Sequence, residues 1–241
     1  MIIGTAGWAI PKAVAQAFPG EGTQLARYAA IMAGAEINSS FYRPHRRATY
    51  EKWAGSTPGH FRFAVKLPKL ISHTCKLVEP EGELDTFVAA ITGLGGKLGV
   101  VLVQLAPSLA FDRDVASHFY TAIRHRLDPA VGIATEPRHA SWFTPDAEQC
   151  LVEHRIARVG ADPVRAPGGE QPGGWTGLRY RRLHGSPRVY YSAYDDLRLA
   201  ALATALGQDD KTGAESWCIF DNTASGAALG DALKLRALPN M

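Results

Sequence analysis

The chain has 241 residues, a length that suits one large domain and can bury roughly 70–75% of its unfolded surface without disulfides or a structural metal. Hydrophobic residues at 46% and charged residues at 20% are ordinary for a soluble globular protein, and a net charge of +3 permits an anionic partner without demanding nucleic acid or a membrane. Cys75, Cys150 and Cys218 are isolated, which excludes a disulfide framework and reads as reduced thiols in a cytoplasmic protein. The start of the chain lacks the basic and apolar regions of a signal peptide, and the best apolar run, 98–106, is far short of a bilayer span.

Taken in chain order, a first strand is expected at 2–4, followed by a helix over 23–33 with Leu25, Tyr28, Ala29 and Met32 on one face. Strands follow at 35–38 and 61–66, then a glycine-rich turn at 93–96 and a strand at 99–104. Asp112 caps a helix to 127, and a strand covers 131–136. Thr144-Pro145-Asp146 is an N-cap, a first-turn proline and an early acid, opening a helix through 155. A strand at 158–161 and a flexible loop at 163–175 precede the strand 178–184, the helix 195–206, the strand 217–220 and a helix over 223–238. The β-α alternation predicts a single (β/α)8 TIM-type barrel over 1–241, with parallel strands inside and an outer ring of helices.

Such a barrel gathers its strand C-termini at one mouth, where chemistry sits. Strand parity places Arg62, Ala64 and Lys66 toward the axis, with Val100, Leu102 and Gln104 beside them. Arg182 and His184 share a face, as do Glu36 and Asn38, and Glu136 and Arg138. With Asp162 and Asn222 the mouth should hold carboxylates, cations, an imidazole and amides. Barrel interiors are normally apolar, so this polar set points either to function or to a plug of mutually satisfied ion pairs.

The functional reading is an enzyme acting by acid/base chemistry on a small anionic substrate, phosphorylated or sugar-like. His184, with Glu36 or Glu136, would transfer protons. Lys66, Arg138 and Arg182 would hold the anion. Lys66 is also a Schiff-base candidate, although a nearby carboxylate would keep it protonated. A metal-dependent hydrolase or isomerase, with a divalent ion on Glu36, Glu136, Asp162, His184 and His73, is an alternative that the neighbouring cations oppose, so no cofactor is expected. A barrel that binds a ligand without catalysis is a further reading, and so is a nucleic-acid contact through Arg43, Arg46 and Arg47 with Tyr42 and Trp142.

Seven motifs occur in order. They are Gly4-Thr5-Ala6-Gly7-Trp8, the run from Glu36 to Tyr42, Lys66-Leu67-Pro68 with Ser72-His73, the run from Gln104 to Ser108, Glu136-Pro137-Arg138-His139 with Trp142, Arg182-Leu183-His184-Gly185, and Phe220-Asp221-Asn222. The set resembles the YecE-like family, the domain of unknown function numbered 72, along essentially the whole chain. The resemblance implies a TIM-type barrel but no reaction. Its polar motif residues map onto Glu36, Asn38, Tyr42, Lys66, His73, Gln104, Glu136, Arg138, His139, Arg182, His184 and Asn222. Ala6, Ala9, Ile10 and Ser72 depart from the pattern, and Arg181 puts a charge on the helix-facing side of its strand.

Overall fold

The computed structural model describes residues 1–164 and 166–238; Arg165, in the expected 163–175 loop, and residues 239–241, at the end of the expected domain, lie outside it. In chain order the elements are β1 (Ile2–Thr5), α1 (Gln24–Ala29), β2 (Gly34–Ile37), α2 (Arg47–Gly55), β3 (Arg62–Lys66), α3 (Glu81–Ile91), β4 (Leu98–Gln104), α4 (Arg113–Arg124) and β5 (Gly132–Glu136). There follow α5 (Pro145–Glu153), β6 (Ala157–Arg158), β7 (Gly160–Asp162), β8 (Gly173–Gly174), β9 (Leu178–Leu183), α6 (Asp196–Lys211), β10 (Glu215–Phe220) and α7 (Ala227–Arg236).

Side-chain caps fix the helix starts where the sequence signals them. Thr23 accepts from the Ala26 amide at 3.1 Å and Asp195 from the Arg198 amide at 2.7 Å. Asp112 and Thr144 do the same for α4 and α5. The helices α2 and α3 were not expected. In α2 only Tyr50, Trp53 and Ala54 turn inward among polar neighbours, too thin a stripe to stand out.

The strands form two sheets. One has the order β1-β10-β9-β7, all parallel; the other has β2-β3-β4-β5-β6 parallel, with β8 antiparallel on β6. Parallel strands with intervening helices agree with the expected class, but the strands divide between sheets of four and six instead of forming one continuous ladder. The expected sixth strand is two pieces, because Ala157–Arg158 pairs with β5 while Gly160–Asp162 pairs with β9. Val159 between them donates to the Thr135 carbonyl at 2.8 Å, so one extended segment passes from sheet to sheet. At the other seam Ala6 pairs in parallel with Glu36, and the Gly7 amide donates to the Glu36 carbonyl at 2.8 Å.

Two apolar layers result. Helices cover the outer faces with Phe61, Phe63, Val65, Val101 and Val103, as parity predicts. Ala64, Val100, Leu102, Ala134, Ala157, Val159, Leu178, Tyr180, Trp217 and Ile219 fill the inner face. Trp217 needs room, and Gly99 provides it, since a Cβ there would stand 2.6 Å from Trp217 Cζ2. Arg181 on the outer face pairs with Asp209 of α6 and with Gln171, which accounts for its charge on that side. Among the described residues no helix is long and apolar enough to cross a membrane.

Trp217→Ala should destabilise the fold by about 3–5 kcal/mol, as truncation of a large buried aromatic does, measured by urea denaturation. A loss within experimental error would refute the packing role given to the indole.

Candidate functional site

Above the inner apolar layer lies a buried ionic cluster centred on Arg182, which is fully buried near the end of β9. Its Nε and Nη2 donate to Glu36 Oε2 and Oε1 at 2.9 and 2.7 Å, a two-pronged pair with β2. Nη1 donates to Glu136 Oε2 at 2.6 Å, and Nη2 also reaches Asp221 Oδ2 at 3.0 Å. Tyr180, two residues earlier on the same face, donates its hydroxyl to Glu36 at 3.0 Å. The neighbouring carboxylates hold Arg182 firmly protonated against the cost of its burial.

Glu136 accepts from Gln104 at 3.0 Å, from Arg138 at 2.9 Å and from His184 Nε2 at 2.9 Å, besides Arg182. Burial opposes its ionisation, but the charges of Arg182, His184 and Arg138 hold its carboxyl well below the usual range. The other His184 nitrogen, Nδ1, lies 3.0 Å from Asp221 Oδ2. Burial alone would depress the His184 pKa; the Glu136 charge and the two carboxylate hydrogen bonds outweigh it and raise the pKa. Asp221 is held below its ordinary value against burial, chiefly by Arg182. Both ring nitrogens of an imidazolium are therefore occupied. Each Glu136 oxygen likewise accepts from two donors, and Arg182 is fully buried among its carboxylates.

Lys66 behaves differently. It ends β3 at 4% exposure, and its Nζ sits 4.1 Å from the centroid of the Phe41 ring. Among the described residues it makes no hydrogen bond or ion pair with any carboxylate. Burial and the Arg182 charge lower its pKa to about 8, although Glu36, Glu136 and Asp221 act in the opposite direction. His73 packs edge-on against the same Phe41 ring at 5.0 Å, its Nδ1 held 2.9 Å from the Ser72 hydroxyl. Burial, with Lys66, Lys69 and Arg138, lowers the His73 pKa and favours the neutral ring. Among the described residues Arg138 Nε and Asn38 Oδ1 are buried without partners. Among the described residues Lys66, His73, Arg138 and Asn38 thus keep polar atoms unclaimed, as does Asn222 at Oδ1.

Other expected residues sit elsewhere. The Asp162 carboxylate turns outward to Arg198, at 2.6 Å, and not into the cluster. Asn222 donates to Asp231 at 2.7 Å and to the Ser192 carbonyl at 2.9 Å, tying α7 to a loop. Trp142 is buried, with its indole N–H on the Leu109 carbonyl at 2.9 Å, so it offers no face to a nucleobase. His139 caps the turn at Ala140–Phe143, and Tyr42 stands 76% exposed at the rim. Arg43 and Arg46 are exposed, and Arg47 pairs with Glu51. Sequence reasoning missed Asp221 and Tyr180 as site residues. Parity could have found both, since Asp221 follows Trp217 and Ile219 in steps of two, and Tyr180 precedes Arg182 by two. No set of three or more His, Cys, Asp or Glu is arranged to hold a metal ion among the described residues. A separate apolar cavity of about 320 Å³, bounded by Pro44, Tyr50, Pro68, Leu70 and Phe87, lies outside this cluster.

An α/β fold with parallel sheets, carrying a ring of motif side chains where the strands end, is the class that this architecture defines. The chain belongs to the DUF72 family: the family model described as a protein of unknown function matches residues 2–241. No curated protein matches it. Two crystal structures of a DUF72 family protein from Enterococcus faecalis V583 share its fold. One gives a TM-score of 0.83 at 20% identity, over 100% of this chain and 95% of its own. The other gives 0.78 at 21% identity, over 100% and 97%. A DUF72 family protein from Thermotoga maritima MSB8 gives 0.77 at 21% identity, covering 98% of this chain and 97% of its own.

Two stability measurements test the electrostatics. The raised His184 pKa means its contribution is complete below the unfolded value near 6.5 and is lost as pH rises through the folded value. The lowered pKa values of Glu136 and Asp221 act oppositely, so their contribution is lost as pH falls through the folded values. Urea denaturation should show both losses in the native chain, and His184→Asn should lack the alkaline one. An unchanged alkaline limb would contradict the imidazolium. Lys66 has a folded pKa below its unfolded 10.5, so its burial costs stability at neutral pH, a cost that disappears above 10.5. Lys66→Met should therefore be more stable at pH 7 by about 1–3 kcal/mol; a less stable variant would show that Lys66 is a structural cation.

Proposed function

We propose that this chain is an enzyme that acts on a small anionic substrate where the strands end, within an eight-stranded (β/α)8 barrel that the two sheets form together. The two seams support the barrel reading: the Ala6–Glu36 bridge on one side and the continuous segment 157–162 on the other. The observation that carries the functional reading is Lys66, nearly buried and, among the described residues, bound to no carboxylate while three carboxylates nearby are consumed by other cations.

Charge supports an anion. Arg182, Arg138, Lys66 and the imidazolium of His184 oppose Glu36, Glu136 and Asp221, four charges against three. With Lys66 protonated the local excess is one positive charge in a low-dielectric setting, where it acts more strongly than in water; with Lys66 neutral the charges balance and Arg138 is the cation left facing the anion. In this reading Lys66 and Arg138 hold the anion. Proton transfer belongs to His73, whose lowered pKa keeps the ring neutral, and to Lys66, whose lowered pKa brings a neutral amine into the physiological range. His184, Glu36 and Glu136 act as positioning residues.

Titration calorimetry with inorganic phosphate and with ribose 5-phosphate tests the reading. The native chain should bind at least one, and Lys66→Met and Arg138→Met should each weaken binding by about tenfold or more, the scale of one charge-assisted contact. Undiminished binding in both variants, or no binding to the native chain, would count against the site.

A further inference from the structure

We propose that Lys66 attacks the carbonyl carbon of a small anionic aldehyde or ketone and forms an imine with it. The inference rests on the anion-holding site above and names its substrate class.

A lysine that forms imines needs a neutral amine, freedom from carboxylates that would keep it protonated, shelter from bulk water, and a nearby group to move protons. Lys66 meets these conditions together, and no other lysine in the chain does. It is the one buried lysine among eight, all of them within the described residues. Lys97 is half-buried, but its Nζ donates to the Ala54 and Thr57 carbonyls. The other six, Lys12, Lys52, Lys69, Lys76, Lys211 and Lys234, are exposed. The carboxylates that would normally claim the Lys66 ammonium are held by the guanidinium of Arg182 and the imidazole of His184. Its pKa near 8 leaves a sizeable neutral fraction at physiological pH.

His73 supplies the proton traffic. Its Nδ1 is engaged by Ser72, which leaves Nε2 for exchange, and both His73 and Lys66 lie against Phe41. In the first step the Nζ lone pair forms a C–N bond while the carbonyl π electrons move to oxygen; neutral His73 takes a proton from the nitrogen and passes it to that oxygen, giving a neutral carbinolamine. One proton from solvent, relayed through His73, then protonates the hydroxyl, which leaves as water while the nitrogen lone pair forms the C=N bond. The products are a protonated imine and one water, with no oxidant or reductant required. The iminium then acts as an electron sink for breaking a C–H or C–C bond next to the former carbonyl. Arg138, with a free Nε beside Glu136, is placed to hold the anionic group of the same molecule.

Trapping tests the proposal. The intact protein is incubated with pyruvate, and separately with dihydroxyacetone phosphate, in the presence of sodium cyanoborohydride, and the adducts are mapped by peptide mass spectrometry. At neutral pH an amine of pKa near 8 has about 10² more neutral form than a free lysine side chain, so Lys66 should be labelled at least tenfold faster than the exposed lysines. Lys66→Arg should lose that adduct alone. Should the variant fail to fold, the native chain still decides, because inorganic phosphate should slow labelling at Lys66 and leave Lys69 unchanged. Labelling with no preference for Lys66 overturns the imine. If phosphate or ribose 5-phosphate still binds in the calorimeter, the anion site stands without it; if neither binds, both readings fall.

Discussion

The structure depends on one guanidinium. Arg182 draws Glu36, Glu136 and Asp221, which lie at the ends of three strands in two different sheets, onto a single planar group. Removing charges from water is expensive, and a buried ion pair often contributes no more than a well-packed apolar replacement. Stability therefore does not explain why a barrel-like interior, which branched apolar side chains would fill, holds this cluster. Position does. Each carboxylate has a fixed geometry set by a fork of rigid donors, and that geometry fixes where the strand ends stand relative to one another.

The inner face is layered accordingly. Trp217, Leu178 and Val100 form an apolar floor, admitted by glycines such as Gly132, where a Cβ would come within 2.9 Å of Leu178 Cδ2. Tyr180 joins the layers: its ring stacks on Trp217 at 5.9 Å and its hydroxyl binds Glu36. The polar layer is thus anchored from below by packing and laterally by ion pairs. His184 extends it upward, and the chain turns immediately afterwards. Gly185 has φ +90°, and a Cβ there would lie 2.8 Å from the Ser192 carbonyl, so the residue after His184 must be glycine for the loop to close over it.

Much of this was legible in the sequence, and the limits are physical. Period-two alternation placed Lys66, Gln104 and Arg182 on the inner face, and the capping residues Asp112 and Thr144 placed two helix starts. Parity says which face a side chain takes, but not which of several partners it finds there. Glu136 and His184 looked like available acids and bases because the sequence does not show that each would be surrounded. Asp162 looked like a mouth carboxylate because its distant partner on α6, Arg198, is 36 residues away. Asp221 was passed over for Asn222 beside it, although the inward step of two selects Asp221. The DUF72 motifs were readable throughout; their division into a saturated layer and an available layer required coordinates.

That division follows from a competition between cations. A guanidinium presents several donors in a fixed plane and satisfies two carboxylates with little loss of freedom, whereas an ammonium on a four-carbon stem must be ordered for each bond it makes. Where one arginine, a half-buried second arginine and an imidazolium already face three carboxylates, the lysine is the cation left over. Its stem is confined by Phe41, its charge is opposed by Arg182, and its proton is held weakly. The same arrangement that looks like a plug of ion pairs from the side of Glu136 therefore leaves an unclaimed amine on the side of Lys66. The cluster does not compete with the amine proposed to react; by occupying Glu36, Glu136 and Asp221, it leaves that amine without a carboxylate partner among the described residues.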